Sequence, residues 1–125
     1  VASGGELARF MLALKVVLAE RGSAPTLVFD EIDTGVGGAV ADAIGQRLAR
    51  LAGQVQVLSV THAPQVAARA TRHYLIAKEP IGDRVATRVK PLGFELRREE
   101  LARMLAGERI TDEARAAADQ LLNAG

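Results

Sequence analysis

The pattern of hydrophobic and polar positions changes period several times along this chain, as is typical of a fold that mixes helices with strands. Thr26–Phe29 is a continuous apolar or β-branched run between Pro25 and Asp30. Such a run predicts a strand covered on both faces, as in a parallel sheet with helices above and below it. Gln54–Val60 predicts a second apolar strand.

Helical periodicity separates these strands and also follows them. Apolar residues three and four positions apart favour amphipathic helices, and a proline or threonine marks where two of these helices begin. The predicted helices cover residues 4–21, 38–52 and 64–70, a short segment with Leu101, Met104 and Leu105, and a last segment capped by Thr111 that runs through Leu121 and Leu122.

A hairpin is predicted between the third and fourth of these helices. His73–Glu79 and Arg84–Leu92 are strand-like segments on either side of Pro80–Asp83, which has the composition of a turn. Val85 and Val89 alternate with basic residues, so we expect a strand with one wet face. We interpret the basic side as a solvated edge rather than a DNA-binding surface, because no aromatic stacking residue is interleaved.

Candidate chemistry lies at the carboxyl ends of the two predicted parallel strands, where open α/β sheets bind ligands. Asp30 and Glu31 close the first strand and His62 follows the second. Adjacent carboxylates can divide two tasks, in which one orients a hydrated metal ion and the other takes a proton from water. The residues alone also allow simpler interpretations. Asp30 and Glu31 can be an acidic pair at the point where a strand meets solvent, and His62 can be a hydrogen-bonded loop residue.

The start of the first predicted helix offers a second candidate site. Ser3 and Glu6 form a capping box, and Gly4 and Gly5 allow a ligand to approach the backbone closely. Free amides and the helix dipole favour an anion there. The alternative is an ordinary helix cap with flexible glycines.

Three motifs in a fixed order decide between these alternatives. SGGELAR at residues 3–9, VFDE at residues 28–31 and THAPQVA at residues 61–67 resemble the signature, Walker B and switch-histidine motifs of ABC-type ATPases. Longer strings around them resemble the carboxyl-terminal part of the RecN family of bacterial DNA-repair proteins, which are relatives of the SMC proteins. The resemblance implies an α/β fold: a partial P-loop nucleotidase sheet flanked by helices, with a C-terminal β-hairpin and helices.

The resemblance also implies roles for individual residues around ATP and Mg²⁺. In these roles Asp30 holds Mg²⁺ through water, Glu31 is the general base and His62 senses the γ-phosphate. Ser3, Gly4 and Gly5 contact the γ-phosphate of ATP that the opposite protomer holds, and Glu6 supports them as a cap. Asp33 lies in the segment that corresponds to the D-loop, where we expect a contact across the dimer.

The chain contains no G-x-x-x-x-G-K-[ST] segment, which is the loop that holds nucleotide phosphates. We therefore expect residues 1–125 to be the C-terminal lobe of an ATPase head and to work with an upstream Walker A half of the same protein. A second head in a homodimer and DNA are the other expected partners, and the chain alone is expected to be inactive. The family's strand order puts the missing strand between Gln54–Val60 and His73–Glu79, so these two strands should either close on each other or stay apart.

Composition and charge limit which partners and metal sites the chain can have. A net charge of +1 gives no overall attraction to nucleic acid or anionic membranes, and the absence of cysteine excludes disulfides and thiolate metal sites. No apolar run approaches the roughly 20 residues of a membrane span, so we expect a cytoplasmic protein without a membrane partner. The family resemblance implies that it is nucleoid-associated. The alternatives are the nucleotide-binding domain of an ABC transporter and a dimerisation or DNA-binding module that no longer hydrolyses ATP. Intact Asp30, Glu31 and His62 argue against the second.

Overall fold

The computed structural model describes Leu12, Ala13, Val17 and residues 25–124, and it confirms a mixed α/β fold. The elements in chain order are β1 (Thr26–Asp30), α1 (Gly38–Leu51), β2 (Gln56–Val60), α2 (Pro64–Ala67), β3 (Tyr74–Ile81), β4 (Arg84–Pro91), α3 (Phe94–Ala106) and α4 (Asp112–Asn123). The helix predicted at residues 4–21 lies outside the described residues, except that Leu12, Ala13 and Val17 are helical.

β1 and β2 form a parallel pair whose register runs from Thr26 opposite Gln56 to Asp30 opposite Val60. One face of this pair packs against α1, with Phe29 fully buried. On the other face Val28 is 54% exposed and Val60 is 50% exposed. The expectation of a strand covered on both faces is therefore wrong for the part of the chain that the structure describes, because α1 packs on one side only.

α1 supplies most of the first hydrophobic core. Its positions Ile44, Leu48 and Leu51 are buried against β1, as the helical period predicts. Leu12 is buried in the same core, whereas Val17 is 48% exposed. This core fixes the side of the strand pair to which α1 attaches.

A second core forms where α3 and α4 pack together. Leu101 and Ala118 are fully buried there, and the Thr111 hydroxyl caps α4 by accepting a hydrogen bond from the Ala114 amide at 3.1 Å. α3 is 13 residues long and thus longer than the short helix predicted. The one-turn helix α2, shorter than predicted, contacts both cores, because Val66 belongs to the first core and Ala67 to the second.

β3 and β4 form the predicted antiparallel hairpin, but its turn is shorter than predicted. Pairing continues to Ile81 opposite Arg84, which leaves Gly82 and Asp83 as the turn, and Gly82 has φ 59°. The expectation of one wet face is wrong for the described residues, since Val85 is 68% exposed and Val89 is 60% exposed. The hairpin forms a sheet of its own, so β2 and β3 stay apart.

None of the helices that the structure describes is long and apolar enough to cross a membrane.

Candidate active site at the carboxyl ends of β1 and β2

The parallel pairing brings the predicted acids and the predicted histidine to one edge of the sheet. Asp30 ends β1 and Glu31 follows it, while His62 comes two residues after the end of β2. The Glu31 amide donates a hydrogen bond to the Val60 carbonyl at 2.9 Å, which continues the ladder beyond the last strand pair. The two loops therefore leave the sheet side by side.

Glu31 and His62 meet directly at this edge. The His62 Nε2 atom lies 2.5 Å from Glu31 Oε1, and the side chains are 83% and 46% exposed, respectively. Because a carboxylate only accepts hydrogen bonds, Nε2 carries a hydrogen in this pair. An exposed contact of this kind contributes little to stability, so water can replace either partner and a phosphate oxygen can replace Glu31 as the acceptor for His62.

The backbone at Glu31 takes a conformation that side chains rarely adopt. Its φ is 54°, in the left-handed region, which costs about 1–2 kcal/mol in a residue with a Cβ atom. The following turn stabilises this conformation, because the Thr34 amide and hydroxyl both donate to the Glu31 carbonyl, at 3.3 and 2.9 Å. Strain of this kind is typical of functional sites.

Asp33, the residue for which a contact across the dimer was expected, points inward in this structure. It is only 7% exposed, and its carboxylate accepts a hydrogen bond from the Thr61 hydroxyl. The Ala63 amide in turn donates to the Thr61 Oγ1 atom at 3.0 Å. Asp33 is thus connected to the residues on either side of His62.

An open cavity of about 360 Å³ lies between the loop after β1 and the loop after β2. Asp33, Gly35 and Val36 line it from one side, and His62 and Gln65 line it from the other. It is large enough to admit a phosphate group and water next to the His62 ring.

Asp30 is exposed at the end of β1. The described residues contain no group of three or more His, Asp or Glu side chains that could hold a metal. Mg²⁺ commonly binds through one or two carboxylates together with substrate phosphates and several waters, so a single exposed carboxylate fits it. Ser3, Gly4, Gly5 and Glu6 lie outside the described residues, and their roles stay predictions.

Sequence reasoning missed Gly45, which sets how closely α1 approaches the histidine loop. A Cβ atom there would lie 2.9 Å from the Gln65 carbonyl oxygen and 3.0 Å from Arg69 Cγ. A glycine in the middle of an apolar helical pattern was the available signal. Only glycine lets the segment after His62 pack this tightly on α1.

Sequence reasoning also missed Arg97 of α3, which stabilises the chain beyond His62. Its Nη2 donates to the carbonyl oxygens of Ala67, Ala68 and Ala70, at 3.0, 3.1 and 2.5 Å.

His73, predicted to be an ordinary strand residue, precedes β3. Its pKa lies below the usual value, mainly because of burial and also because Arg97 repels its charged form. Its Nδ1 atom is buried without a hydrogen-bond partner.

The chain is similar in sequence to DNA repair proteins named RecN. It is 51% identical over 122 residues to the DNA repair protein RecN of Xylella fastidiosa strain Temecula1, and 54% identical over 121 residues to RecN of Streptomyces coelicolor. The matches cover 98% and 97% of this chain but only 22% and 21% of those relatives, whose C-terminal part they match. No protein-family model matches the chain.

Solved SMC heads share the fold. An SMC head domain with a coiled coil and joint from Pyrococcus yayanosii superposes with a TM-score of 0.69 at 25% identity, over 81% of this chain and 19% of that one. A structure described in terms of ATP-driven dimerization and DNA-stimulated activation of SMC ATPases gives a TM-score of 0.67 at 21% identity, over 86% of this chain and 65% of that one.

Proposed function

This chain matches the C-terminal part of RecN, and we propose that residues 1–125 are the C-terminal ATPase lobe of a RecN-like protein that acts in DNA double-strand-break repair. The observation that carries the proposal is the meeting of Glu31 and His62, 2.5 Å apart, beside Asp30 at the carboxyl edge of a parallel strand pair. A base, a hydrogen-bond donor and a metal-binding carboxylate are the groups that phosphoryl transfer to water requires. The SMC and RecN relatives favour this function over a transporter domain.

Each residue of the proposed site has one task. The Glu31 carboxylate accepts a proton from the attacking water, and the His62 Nε2–H donates a hydrogen bond to a γ-phosphate oxygen. Asp30 would hold Mg²⁺ through water, and the charge that such an ion supplies would stabilise the phosphates. Ser3, Gly4 and Gly5, supported by the Glu6 cap, contact the γ-phosphate held by a second head of a homodimer.

The other half of the head is proposed to come from upstream in the same protein. β2 and β3 lie in separate two-stranded sheets, and Leu58 of β2 and Ile76 of β3 are 50% and 60% exposed. An upstream Walker A half that adds its strand between them would cover such side chains and bring the phosphate loop to His62. We propose that DNA is handled by the whole cytoplasmic, nucleoid-associated protein and that this chain alone does not hydrolyse ATP.

The proposal is tested in what we call the extended protein, which is this chain joined to the upstream part of a full-length RecN relative. Glu31→Gln keeps the shape of the side chain but not its basicity, so hydrolysis should fall by about 10² to 10⁴-fold while ATP binding persists. Glu79→Gln is the matched control, because it changes a hairpin carboxylate that is paired with Lys90. The measurements are steady-state phosphate release and titration with a labelled nucleotide.

Two outcomes would contradict the proposal. Turnover of Glu31→Gln close to that of Glu79→Gln would assign the base to another residue. Glu31-dependent turnover by the isolated chain would show that no upstream half is needed.

A further inference from the structure

A chain of hydrogen bonds joins the loop after β1 to the loop that carries His62. The Thr61 hydroxyl donates to the Asp33 carboxylate, and the Ala63 amide donates to the Thr61 Oγ1 atom at 3.0 Å. Thr61 and Ala63 are the two chain neighbours of His62. The backbone on both sides of the histidine is therefore fixed through one buried carboxylate.

Asp33, which anchors this connection, is buried, whereas His62 is exposed. Asp33 is 7% exposed, whereas the His62 side chain is 83% exposed, so the histidine itself has little packing to hold it in place. A buried carboxylate is stable only when hydrogen bonds replace its lost water, and the Thr61 hydroxyl supplies one of them. A carboxylate engaged in this way faces its own chain and is poorly placed to reach a second head.

Hydrogen bonds within the turn also hold the loop that contains Asp33. The Val36 amide donates to the Asp33 carbonyl at 3.3 Å, and the Thr34 hydroxyl donates to the Glu31 carbonyl at 2.9 Å. The turn that sets the position of Glu31 thus also contains the residue that fixes the loop of His62. Residues 31–36 therefore help to position both Glu31 and His62, which lie 2.5 Å apart.

We propose that Asp33 is a positioning residue that acts within its own head, through Thr61, to hold His62 beside Glu31 for hydrolysis. The inference rests on the proposed function and replaces the contact across the dimer that the D-loop position suggests. It requires Thr61 as much as it requires Asp33, because the hydroxyl is the connecting group. This requirement separates it from any role that Asp33 would have at a second head.

A matched threonine lies at the opposite end of the same strand pair. Thr26 donates to Gln56 Oε1 at 2.8 Å, where the amino ends of β1 and β2 pair. Thr26→Val removes a threonine hydroxyl that bonds across the strand pair at the end remote from His62, whereas Thr61→Val removes the hydroxyl that joins Asp33 to the Ala63 amide. It is therefore the control for loss of a threonine hydroxyl as such.

The first experiment measures kcat and KM for ATP in the extended protein. Asp33→Ala and Thr61→Val should each lower kcat by up to about 100-fold, as expected when a reacting group is misplaced, with little change in KM. The double variant should be no slower than the slower single variant, because both changes break one connection. Thr61→Ser, which keeps the hydroxyl, should restore turnover, and Thr26→Val should match the parent.

The second experiment follows ATP-dependent association of heads in a Glu31→Gln background. The Glu31→Gln protein and the Glu31→Gln protein that also carries Asp33→Ala should associate equally well. Loss of association in Asp33→Ala together with parental kcat in Thr61→Val would overturn the inference and restore a contact across the dimer.

A third measurement does not depend on hydrolysis and so separates this inference from the proposed function. Hydrogen exchange of the peptide that contains the Ala63 amide should accelerate in Asp33→Ala and in Thr61→Val, while exchange in β1 stays unchanged. Unchanged exchange at Ala63 would overturn the inference even if Glu31 proves to be the base. Turnover that is independent of Glu31 would overturn the proposed function alone.

Discussion

The two strand pairs of this protein both contain apolar side chains but differ in their pairing direction and in their surroundings. β1 and β2 are parallel and are covered on one face by α1, with Phe29 fully buried. β3 and β4 are antiparallel, and both Ile76 and the opposing Val89 are 60% exposed. Parallel strands end at the same edge, whereas antiparallel strands end at opposite edges. The direction of pairing is therefore what brings Glu31 to His62.

In the hairpin, charged side chains pair across the two strands and are not brought together at one edge of the sheet. On its charged face the Glu79 carboxylate pairs with two cations, because Lys90 Nζ lies 2.5 Å from Glu79 Oε1 and Arg88 Nε lies 3.6 Å from Glu79 Oε2. These pairs are partly exposed and contribute little to stability. Asp30, Glu31 and His62 of the proposed site thus lie at the parallel pair, and the hairpin carries none of the proposed site residues.

Removing the buried aromatic ring of the parallel pair should have the largest effect on stability. Phe29→Ala should destabilise β1 and α1 by about 3–5 kcal/mol, because it opens a cavity in the first core. Val85→Ala next to the hairpin turn is the control, because Val85 is 68% exposed and lies on β4, not on the strands between which the upstream half is proposed to insert. It should change stability by about 0.5 kcal/mol or less. Hydrogen exchange of peptides from β1 and from β4 in the extended protein measures both. Equal effects at the two sites would mean that the exposed face of the hairpin is buried in the extended protein.

A smaller effect is expected where α1 meets the histidine loop. Gly45→Ala gains about 1 kcal/mol of helix propensity but puts a Cβ atom 2.9 Å from a backbone carbonyl oxygen, and overpacking of this kind costs about 1–3 kcal/mol. We expect net destabilisation and a loss of turnover. Gly38→Ala is the control on the same helix, because its Cβ atom would meet only the end of the flexible Gln65 side chain at 3.2 Å. Exchange rates of peptides from α1 and α2 should separate the two variants.

The smallest expected effect is the pH dependence of stability at His73, which precedes β3. Because the pKa of His73 in the folded chain lies below its usual value, the folded state binds this proton less well than the unfolded state does. The contribution of His73 to stability is therefore complete above about pH 6.5 and decreases as the pH falls toward the folded pKa. Arg97 strengthens this effect and Glu100 opposes it.

The measurement for His73 is hydrogen exchange of β3 in parent and His73→Gln proteins compared at the same pH. The ratio of their rates should change between about pH 7.5 and pH 5.5, the range in which a histidine near its usual pKa titrates. A constant ratio would contradict the assignment.

Much of the fold was predictable from the residues. The positions of β1, α1 and the hairpin, and the threonine cap of α4, follow from period, turn composition and capping, which act over a few residues. The least accurate predictions concern burial, such as the covering of β1 on both faces and the wet face of β4. Burial depends on which distant segments pack on a strand, and periodicity carries no information about them.

The sequence by itself determined which residues can do chemistry and which elements carry them. It put Asp30 and Glu31 after one apolar strand and His62 after another, because strand and turn propensities are local. Only the tertiary structure decided that Glu31 and His62 meet, that Asp33 turns inward to Thr61, and that Gly45 allows α1 to approach Gln65. These contacts join residues up to 31 positions apart, and they arise from the parallel register of β1 with β2 and from the packing of α1 on the segment after His62.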